Sequence, residues 1–391
     1  MSLQVQRWDR SRRRAHPTLP VARIVVGIAA AAVILSSFAA RPPIALVGAA
    51  LATLGATLLP RRARTAIVHG LPRALLGVVA ATMAVSLAMD SLPNNVDPTT
   101  RLPDWAMLRS YFEWLALAVG GDLGVSRGIG EPVLDALQRT LPVTLLLVLY
   151  SQMLALGIGV PAAMWAAARE GGWFDRLSSS GASALVSMPV FVSAIVVQIF
   201  FVVGPVQIGP VPIGGKWLPA VRYVTPGDGI VAHLRSMALP TVTLAASILP
   251  TYLRTLRAEV LGVLREDFIT AVRSRGLPRR TVLFRHVLPS STTSVVSTVA
   301  ANTGVLIGYV FIVDVMFSRP GLGDYLEIAV ARRDRPAVLG VVLATTLVVT
   351  LVNLFADAAQ LAIDPRIPAP AGGILNLRRP RRGSRSGASS D

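Results

Sequence analysis

The chain has 391 residues, of which 53% are hydrophobic and 15% charged, and its mean hydropathy of +0.59 places it among membrane proteins. The net charge of +17 comes from 37 Arg and one Lys that lie between apolar runs, so we read these cations as setting membrane orientation rather than binding nucleic acid. The absence of Cys excludes disulfides, thiolate nucleophiles and cysteine metal sites.

The N-terminal part of the chain predicts a basic tail followed by a helical hairpin. Residues 1–20 carry five arginines, residues 21–40 are apolar apart from Arg23, and a second apolar run covers residues 44–59. A signal peptide is the alternative, but the first run is long and no convincing cleavage site precedes the second run. We therefore interpret residues 1–20 as a cytoplasmic tail and residues 21–60 as an additional transmembrane hairpin.

Six further apolar segments predict membrane spans, and Pro240 and Pro250 predict kinks in the fourth of them. Polar segments separate the spans, among them residues 90–139, which end in an amphipathic piece, and the Gly/Pro-rich loop 204–235. The basic tail at residues 368–391 is predicted to be disordered. The six spans are 66–89, 141–168, 182–203, 236–253, 287–313 and 337–356.

With the hairpin included, the fold class is an all-α polytopic membrane protein with about eight transmembrane helices. If the N-terminus is cytoplasmic, the cytoplasmic segments hold 25 Lys and Arg and the external segments hold 12. This excess predicts that both the N-terminus and the C-terminus lie in the cytoplasm.

The most charged internal stretch is residues 254–289, which we call the coupling segment. It carries eight arginines between two long apolar runs. Apolar residues recur at helical spacing up to Val272, and Gly276 then offers a left-handed helix end while Pro278 opposes continuation of the helix. A second short helix is predicted from Arg279 to Val287.

The coupling segment resembles the cytoplasmic loop of ATP-driven (ABC) importer permeases. The signature of that family is Glu-Ala-Ala, three residues, Gly, nine residues, Ile, one residue and Leu-Pro; here Thr270 replaces the Glu and His286 replaces the Ile, with the spacing retained. The flanking residues are more similar to the dipeptide, oligopeptide and nickel branch. The resemblance implies a role in ATPase coupling for Asp267, Thr270, Ala271, Val272, Arg273, Gly276, Leu277, His286, Leu288 and Pro289.

The resemblance extends from residue 66 to residue 367 and includes three further motifs. Because the family core has six spans, it implies a permease domain over residues 61–367 and makes the hairpin an addition to it. The motifs are Gly121-Asp122-Leu123-Gly124 with Pro132-Val133; Asp314, where the family usually has Glu, with Phe317 and Pro320-Gly321-Leu322-Gly323; and Asn353, Asp357 and Asp364-Pro365-Arg366.

The resemblance also implies a function. The chain would be the non-catalytic permease subunit of a bacterial plasma-membrane importer for di- or oligopeptides. Its partners would be the lipid bilayer, a second homologous permease subunit, two ABC ATPase subunits that bind ATP and Mg, and an extracytoplasmic peptide-binding protein. No cofactor is expected in this chain. Nickel or another small solute remains an alternative cargo, and a self-sufficient secondary transporter is the alternative from another class.

Five candidate residues lie outside the coupling segment and are assigned to helix packing or the translocation interface. Gly304 and Gly308 form a small-xxx-small pair, for which we favour helix packing over a pore-lining role. Asp314 and Asp357 lie at span ends, where we expect interfacial water around them, and Asp357 is interpreted as a structural polar anchor. Asn353 is grouped with them, and neither aspartate lies deep enough to demand an ion site.

No catalytic or metal-binding set stands out in the sequence. The four histidines, His16, His69, His233 and His286, are scattered and lack a metal-ligand partner three or four positions away. Residues 209–216 superficially resemble a phosphate-binding loop, but the required Gly is displaced and Trp217 replaces Ser or Thr. The energy for transport is therefore expected from another subunit or from an ion gradient.

Overall fold

The computed structural model describes residues 61–91, 104–203, 206–208, 211–213 and 223–363. These residues form a helical bundle with one short β-hairpin, which confirms the predicted all-α class but not the predicted number of spans. The N-terminal tail, the hairpin at residues 21–60, the segments 92–103, 204–205, 209–210 and 214–222, and everything from Asp364 onward lie outside the described residues.

Eleven α-helices are present within the described residues. In chain order they are α1 (Arg61–Ser91), α2 (Asp104–Val119), α3 (Val133–Ala168), α4 (Trp173–Val186), α5 (Val190–Gln198), α6 (Ile230–Leu264), α7 (Asp267–Arg273), α8 (Arg279–Val282), α9 (Leu288–Met316), α10 (Leu322–Ala331) and α11 (Arg335–Ile363). Two π-helical turns, Ile199–Val203 and Leu283–Val287, and one 3-10 turn, Pro226–Asp228, extend or precede these helices. Strands β1 (Val206–Ile208) and β2 (Val211–Ile213) pair antiparallel, with Val206 opposite Ile213.

Helices α1, α3, α6, α9 and α11 are long and apolar enough to cross a membrane. A sixth crossing exists if α4 and α5 count as one span, because these two helices are bent by 101° relative to each other. The predicted span over residues 182–203 therefore contains a break that the sequence analysis did not foresee. Pro189 permits this break, because it has no N–H to continue the hydrogen-bond ladder of α4 and it occupies the N-cap position of α5.

Three other differences separate the observed helices from the predicted elements. The amphipathic piece before residue 141 belongs to the same helix as the following span, and Asp135 in the first turn of α3 complements the helix dipole. Helix α6 extends well beyond the predicted 236–253, with Pro240 and Pro250 inside it. Helices α2 and α10 occupy segments that the sequence marked only as polar.

The centre of the bundle is an apolar core that joins α3, α6, α9 and α11. Leu147, Leu244, Leu306 and Val341 are completely buried in it. Three polar side chains also meet there: Tyr252 of α6 donates to Gln152 Oε1 of α3, and Gln152 Nε2 donates to Thr303 Oγ1 of α9 at 2.9 Å. Because polar groups in a hydrocarbon environment need internal partners, this network holds three helices in register.

Candidate functional site at the coupling end of the bundle

The coupling segment begins on the last turns of α6 and continues as two short helices joined by a tight turn. Glu266, in an extended conformation, precedes α7, and Gly276 has a φ of +71°, as the left-handed helix end predicted for it requires. Pro278 then caps α8. The predicted second helix does not end at Val287, because α8 continues through the π-helical turn directly into α9. We call the end of the bundle that carries this segment the coupling end, and the other the opposite end.

The inner face of the coupling segment packs on the bundle through a small apolar cluster. Ile269 and Val287 are completely buried, and Val282 is 2% exposed. Met164 and Ala167 at the end of α3 complete the floor of this cluster, together with Val260 and Val263 of α6. This cluster therefore joins α7 and α8 to the ends of α3 and α6 through packed side chains.

The outer face carries most of the residues predicted for ATPase coupling. Val272 is an exception, because it is half-buried against the apolar cluster rather than presented outward with Ala271. His286 and Leu288 are half-buried as well. The exposed members of the set are Asp267, Thr270, Ala271, Arg273, Gly276, Leu277 and Pro289.

A cavity of about 310 Å³ opens between the two short helices. Leu264, Leu277, Val282 and Leu283 supply apolar walls, and Arg273 and Arg279 stand at its edge.

Ion pairs at the coupling end link the loop after α3 and helix α4 to α6. Asp175 and Arg257 form a bidentate ion pair. Arg257 Nε donates to Asp175 Oδ1 at 2.5 Å, and Arg257 Nη2 donates to Asp175 Oδ2 at 2.7 Å. Arg265 and Glu170 make a second, exposed pair at 3.0 Å. The sequence analysis missed both pairs. The available signal was the isolated acidic residues at positions 170 and 175, opposite the arginine-rich coupling segment.

At the opposite end, Asp314 is completely buried, so the expectation that it sits in interfacial water was wrong. Its Oδ2 accepts hydrogen bonds from Thr144 Oγ1 at 2.9 Å and from the Gly323 N–H at 3.3 Å. Thr144 Oγ1 in turn accepts from the Leu322 N–H at 2.8 Å. These contacts fix the turn between α9 and α10 onto α3. Burial lowers the pKa of the Arg319 guanidinium in the same turn, and nearby Asp314 opposes that shift.

The two glycines of this turn are required by close packing. A Cβ on Gly321 would lie 2.6 Å from Asp314 Cγ and 2.7 Å from Thr144 Oγ1. A Cβ on Gly323 would lie 2.7 Å from Phe311 Cα and closer still to its carbonyl oxygen. The two glycines of the Pro-Gly-Leu-Gly motif therefore allow the backbone of this turn to lie directly against the end of α9.

A second buried aspartate secures the segment before α3. Asp334, which is 2% exposed, accepts from Ser126 Oγ at 2.6 Å and from the Gly128 N–H at 2.7 Å, and its other oxygen caps α11 through the Ala337 N–H. Arg332 adds a hydrogen bond to the Gly128 carbonyl. The loop before α3 and the junction of α10 with α11 are thus joined at the opposite end.

The remaining predicted residues are not gathered into a single site. A Cβ on Gly304 would meet Val349 of α11 at an ordinary 3.5 Å, and one on Gly308 would meet nothing within 4 Å, so the pair does not mark a tight helix crossing within the described residues. Asn353 and Asp357 are exposed on α11. Their assignment to an interface stays a prediction.

The part of the chain that the structure describes holds no group of three His, Asp or Glu residues that could bind a metal ion. His233 is 1% exposed and has other partners: its Nδ1 lies 2.7 Å from the Val224 carbonyl oxygen and its Nε2 lies 3.2 Å from the Tyr150 hydroxyl. It is a packed residue that holds the segment before α6 on α3.

These features define a class: a multi-pass helical membrane protein with a structured, basic loop at one end and no catalytic constellation in the described residues. Residues 159–368 match the family model described as binding-protein-dependent transport system inner membrane component. The match covers more than half of the chain, so the chain belongs to that family and is a multi-pass inner-membrane permease component of such a transport system.

Curated relatives cover a longer part of the chain. It is 29% identical over 325 residues to the dipeptide transport system permease protein DppB of Alkalihalophilus pseudofirmus, an alignment that covers 77% of this chain and 92% of that protein. It is 30% identical over 310 residues to the probable D,D-dipeptide transport system permease protein DdpB of Escherichia coli, covering 76% and 90% of the two chains. The resemblance inferred from the coupling segment is thereby confirmed.

Proposed function

We propose that the chain translocates di- or oligopeptides delivered by an extracytoplasmic substrate-binding protein. It would act beside a second permease subunit, with two ATPase subunits docked on the coupling segment and ATP and Mg bound by those subunits. The names of the relatives, which are dipeptide transport permeases, support the choice of cargo. The permease domain would cover residues 61–367, as the extent of the motifs indicates.

The observation that carries this proposal is the outer face of the coupling segment. Leu277 is 39% exposed and Phe284 is 62% exposed on this face, among its charged side chains. Five arginines around these two side chains form no ion pair within the described residues. Their charge favours a partner surface that is acidic, and the two exposed apolar side chains favour apolar pockets on that surface. These cations are Arg273, Arg275, Arg279, Arg280 and Arg285.

The direct test is uptake of a radiolabelled tripeptide into proteoliposomes that hold the assembled complex, with binding protein and ATP supplied. We expect uptake only when the ATPase subunits and ATP are present. Uptake of Ni²⁺ instead of peptide would favour the alternative cargo. Uptake by this chain alone, driven by an ion gradient, would favour a secondary transporter and contradict the proposal.

The first prediction concerns orientation. Asp228 and Arg275 are both exposed and lie at opposite ends of the bundle. Because the chain has no native Cys, a Cys at either position is the sole labelling site. We expect Asp228→Cys to react with an impermeant maleimide in intact cells and Arg275→Cys to react only after the membrane is permeabilised. The reverse pattern would overturn the proposed topology.

The second prediction concerns the N-terminal region. The proposed permease domain begins at residue 61, so deletion of residues 1–60 should leave assembly with the ATPase subunits intact. Affinity purification of the truncated chain, followed by quantification of co-purified ATPase, measures this. A chain that lacks only residues 1–20 is the control. Loss of the ATPase from the 1–60 deletion alone would make the hairpin part of the structural core.

A further inference from the structure

We propose that Asp175 and Arg257 are positioning residues that fasten α4 to the coupling end of α6, so that movement of the coupling segment reaches the bend between α4 and α5. This inference rests on the proposed function, since it assigns a path for the motion that the ATPase subunits would impart. The bend lies at residues 187–189.

The contact between Asp175 and Arg257 has the geometry of a strong ion pair. Both carboxylate oxygens accept from one guanidinium, and the Asp175 side chain is only 6% exposed. The Gly171 N–H donates to Asp175 Oδ2 at 2.9 Å, which fixes the carboxylate from the other side. Separating α4 from α6 would leave a buried charge without its partner, so the two helices are held together more firmly than apolar packing alone would hold them.

A second contact reinforces the first along α4. Arg254 Nη2 donates to Ser183 Oγ at 3.2 Å, two turns beyond Asp175. Arg254 and Arg257 both lie on the last turns of α6, which ends at Leu264, and Glu266 then leads straight into α7. Helix α4 is therefore joined by two side-chain contacts to the helix that leads into α7.

Helix α5 is fastened at the other end of the molecule. Gln198 Nε2 donates to the Met316 carbonyl oxygen at 2.6 Å, at the end of α9 next to the Asp314 turn. The bend between α4 and α5 thus separates a helix held at the coupling end from a helix held at the opposite end. Because hinges are a few residues at the ends of elements that absorb a change of backbone angle, Ser187, Met188 and Pro189 are where a relative movement of the two ends is taken up.

The functional test compares variants in the assembled complex. Asp175→Asn should reduce the stimulation of ATP hydrolysis by loaded binding protein by about two- to tenfold, with unstimulated hydrolysis and complex yield unchanged, and Arg257→Gln should reduce the stimulation by a similar factor. The reciprocal double variant, Asp175→Arg with Arg257→Asp, should recover part of the loss, since the two sites are in direct contact. Arg109→Gln breaks an equally exposed pair with Glu113 on α2, outside the coupling segment, and is the matched control, for which we expect wild-type stimulation. Full stimulation in both single variants would overturn the proposal.

A structural readout separates this proposal from the function on which it rests. Spin labels on Cys at positions 180 and 258 report the distance between α4 and α6, and labels at 180 and 195 report the angle at the bend; all three native residues are exposed. With and without ATP, the 180–258 distance should stay constant while the 180–195 distance changes. In Asp175→Asn the 180–258 distribution should broaden even in the isolated chain. A 180–258 distribution that Asp175→Asn leaves unchanged would contradict the proposal, whether or not the complex transports peptides.

Discussion

Gly323→Ala is expected to destabilise the protein by about 3 kcal/mol, the upper part of the range for adding a methyl group to a packed site. The new Cβ would lie 2.7 Å from Phe311 Cα and closer to the carbonyl oxygen of the same residue. Both neighbours are backbone atoms inside α9, so they cannot rotate away as a side chain would. Relief requires the turn to move, which lengthens the hydrogen bond from the Gly323 N–H to Asp314 and weakens the attachment to Thr144.

The measurement is the unfolding temperature of the purified chain in detergent, followed by tryptophan fluorescence. Gly157→Ala is the matched control, because Gly157 lies inside α3 and a Cβ there would meet nothing within 4 Å. We expect this control to melt at or slightly above the wild-type temperature, since Ala is favoured over Gly within a helix by about 1 kcal/mol. Equal unfolding temperatures for Gly323→Ala and the wild type would show that the turn is not packed as described.

Gly276→Val is expected to have the second large effect, on coupling rather than on insertion. The backbone at Gly276 has a φ of +71°, which costs an L-residue about 1–2 kcal/mol and a β-branched one more. No atom lies within 4 Å of a Cβ at this position, so the strain comes from the backbone and not from a clash. The chain relieves it by rotating α8 relative to α7, which displaces Leu277 and the arginines around it. The spans keep their hydrophobicity and should still insert.

The control for this variant is Gly262→Val in the last turns of α6. A Cβ at Gly262 also meets nothing within 4 Å, and its φ is not positive, so the same side chain is added at the same end of the molecule without backbone strain. Stimulated ATP hydrolysis should fall severalfold in Gly276→Val and remain near wild type in Gly262→Val. A comparable loss in both would point to nonspecific damage to the coupling end.

The elements that could be predicted from the sequence are those with a local cause. Long apolar runs predicted the five spanning helices, and Gly276 followed by Pro278 predicted the break between α7 and α8. The continuation of α8 into α9 was missed, because no Gly or Pro marks residues 283–287 and a change to π-helical spacing leaves no clear trace in the apolar pattern.

The elements that could not be predicted depend on partners distant in the chain. Asp314 is acceptable in the interior because Thr144, 170 positions earlier, and the Gly323 N–H both donate to it. The Asp175–Arg257 pair spans 82 positions, and neither residue belongs to a motif that we recognised. The 101° bend at Pro189 could not be told from a mild kink by sequence. Helices α3 and α6 each contain two prolines and remain continuous. Only packing decides between these outcomes.

The measurement that tests the central claim most directly is ATP hydrolysis and peptide uptake in proteoliposomes that hold the complete complex, with Ala271→Asp in this chain. Ala271 is exposed on α7, so the substitution places a negative charge on the proposed docking face without disturbing the buried cluster beneath it. If residues 254–289 receive the motion of the ATPase subunits, this variant assembles in the membrane, loses stimulation by loaded binding protein, and loses uptake in parallel. Full stimulation and full uptake in Ala271→Asp, together with full activity in Gly276→Val, would contradict the account.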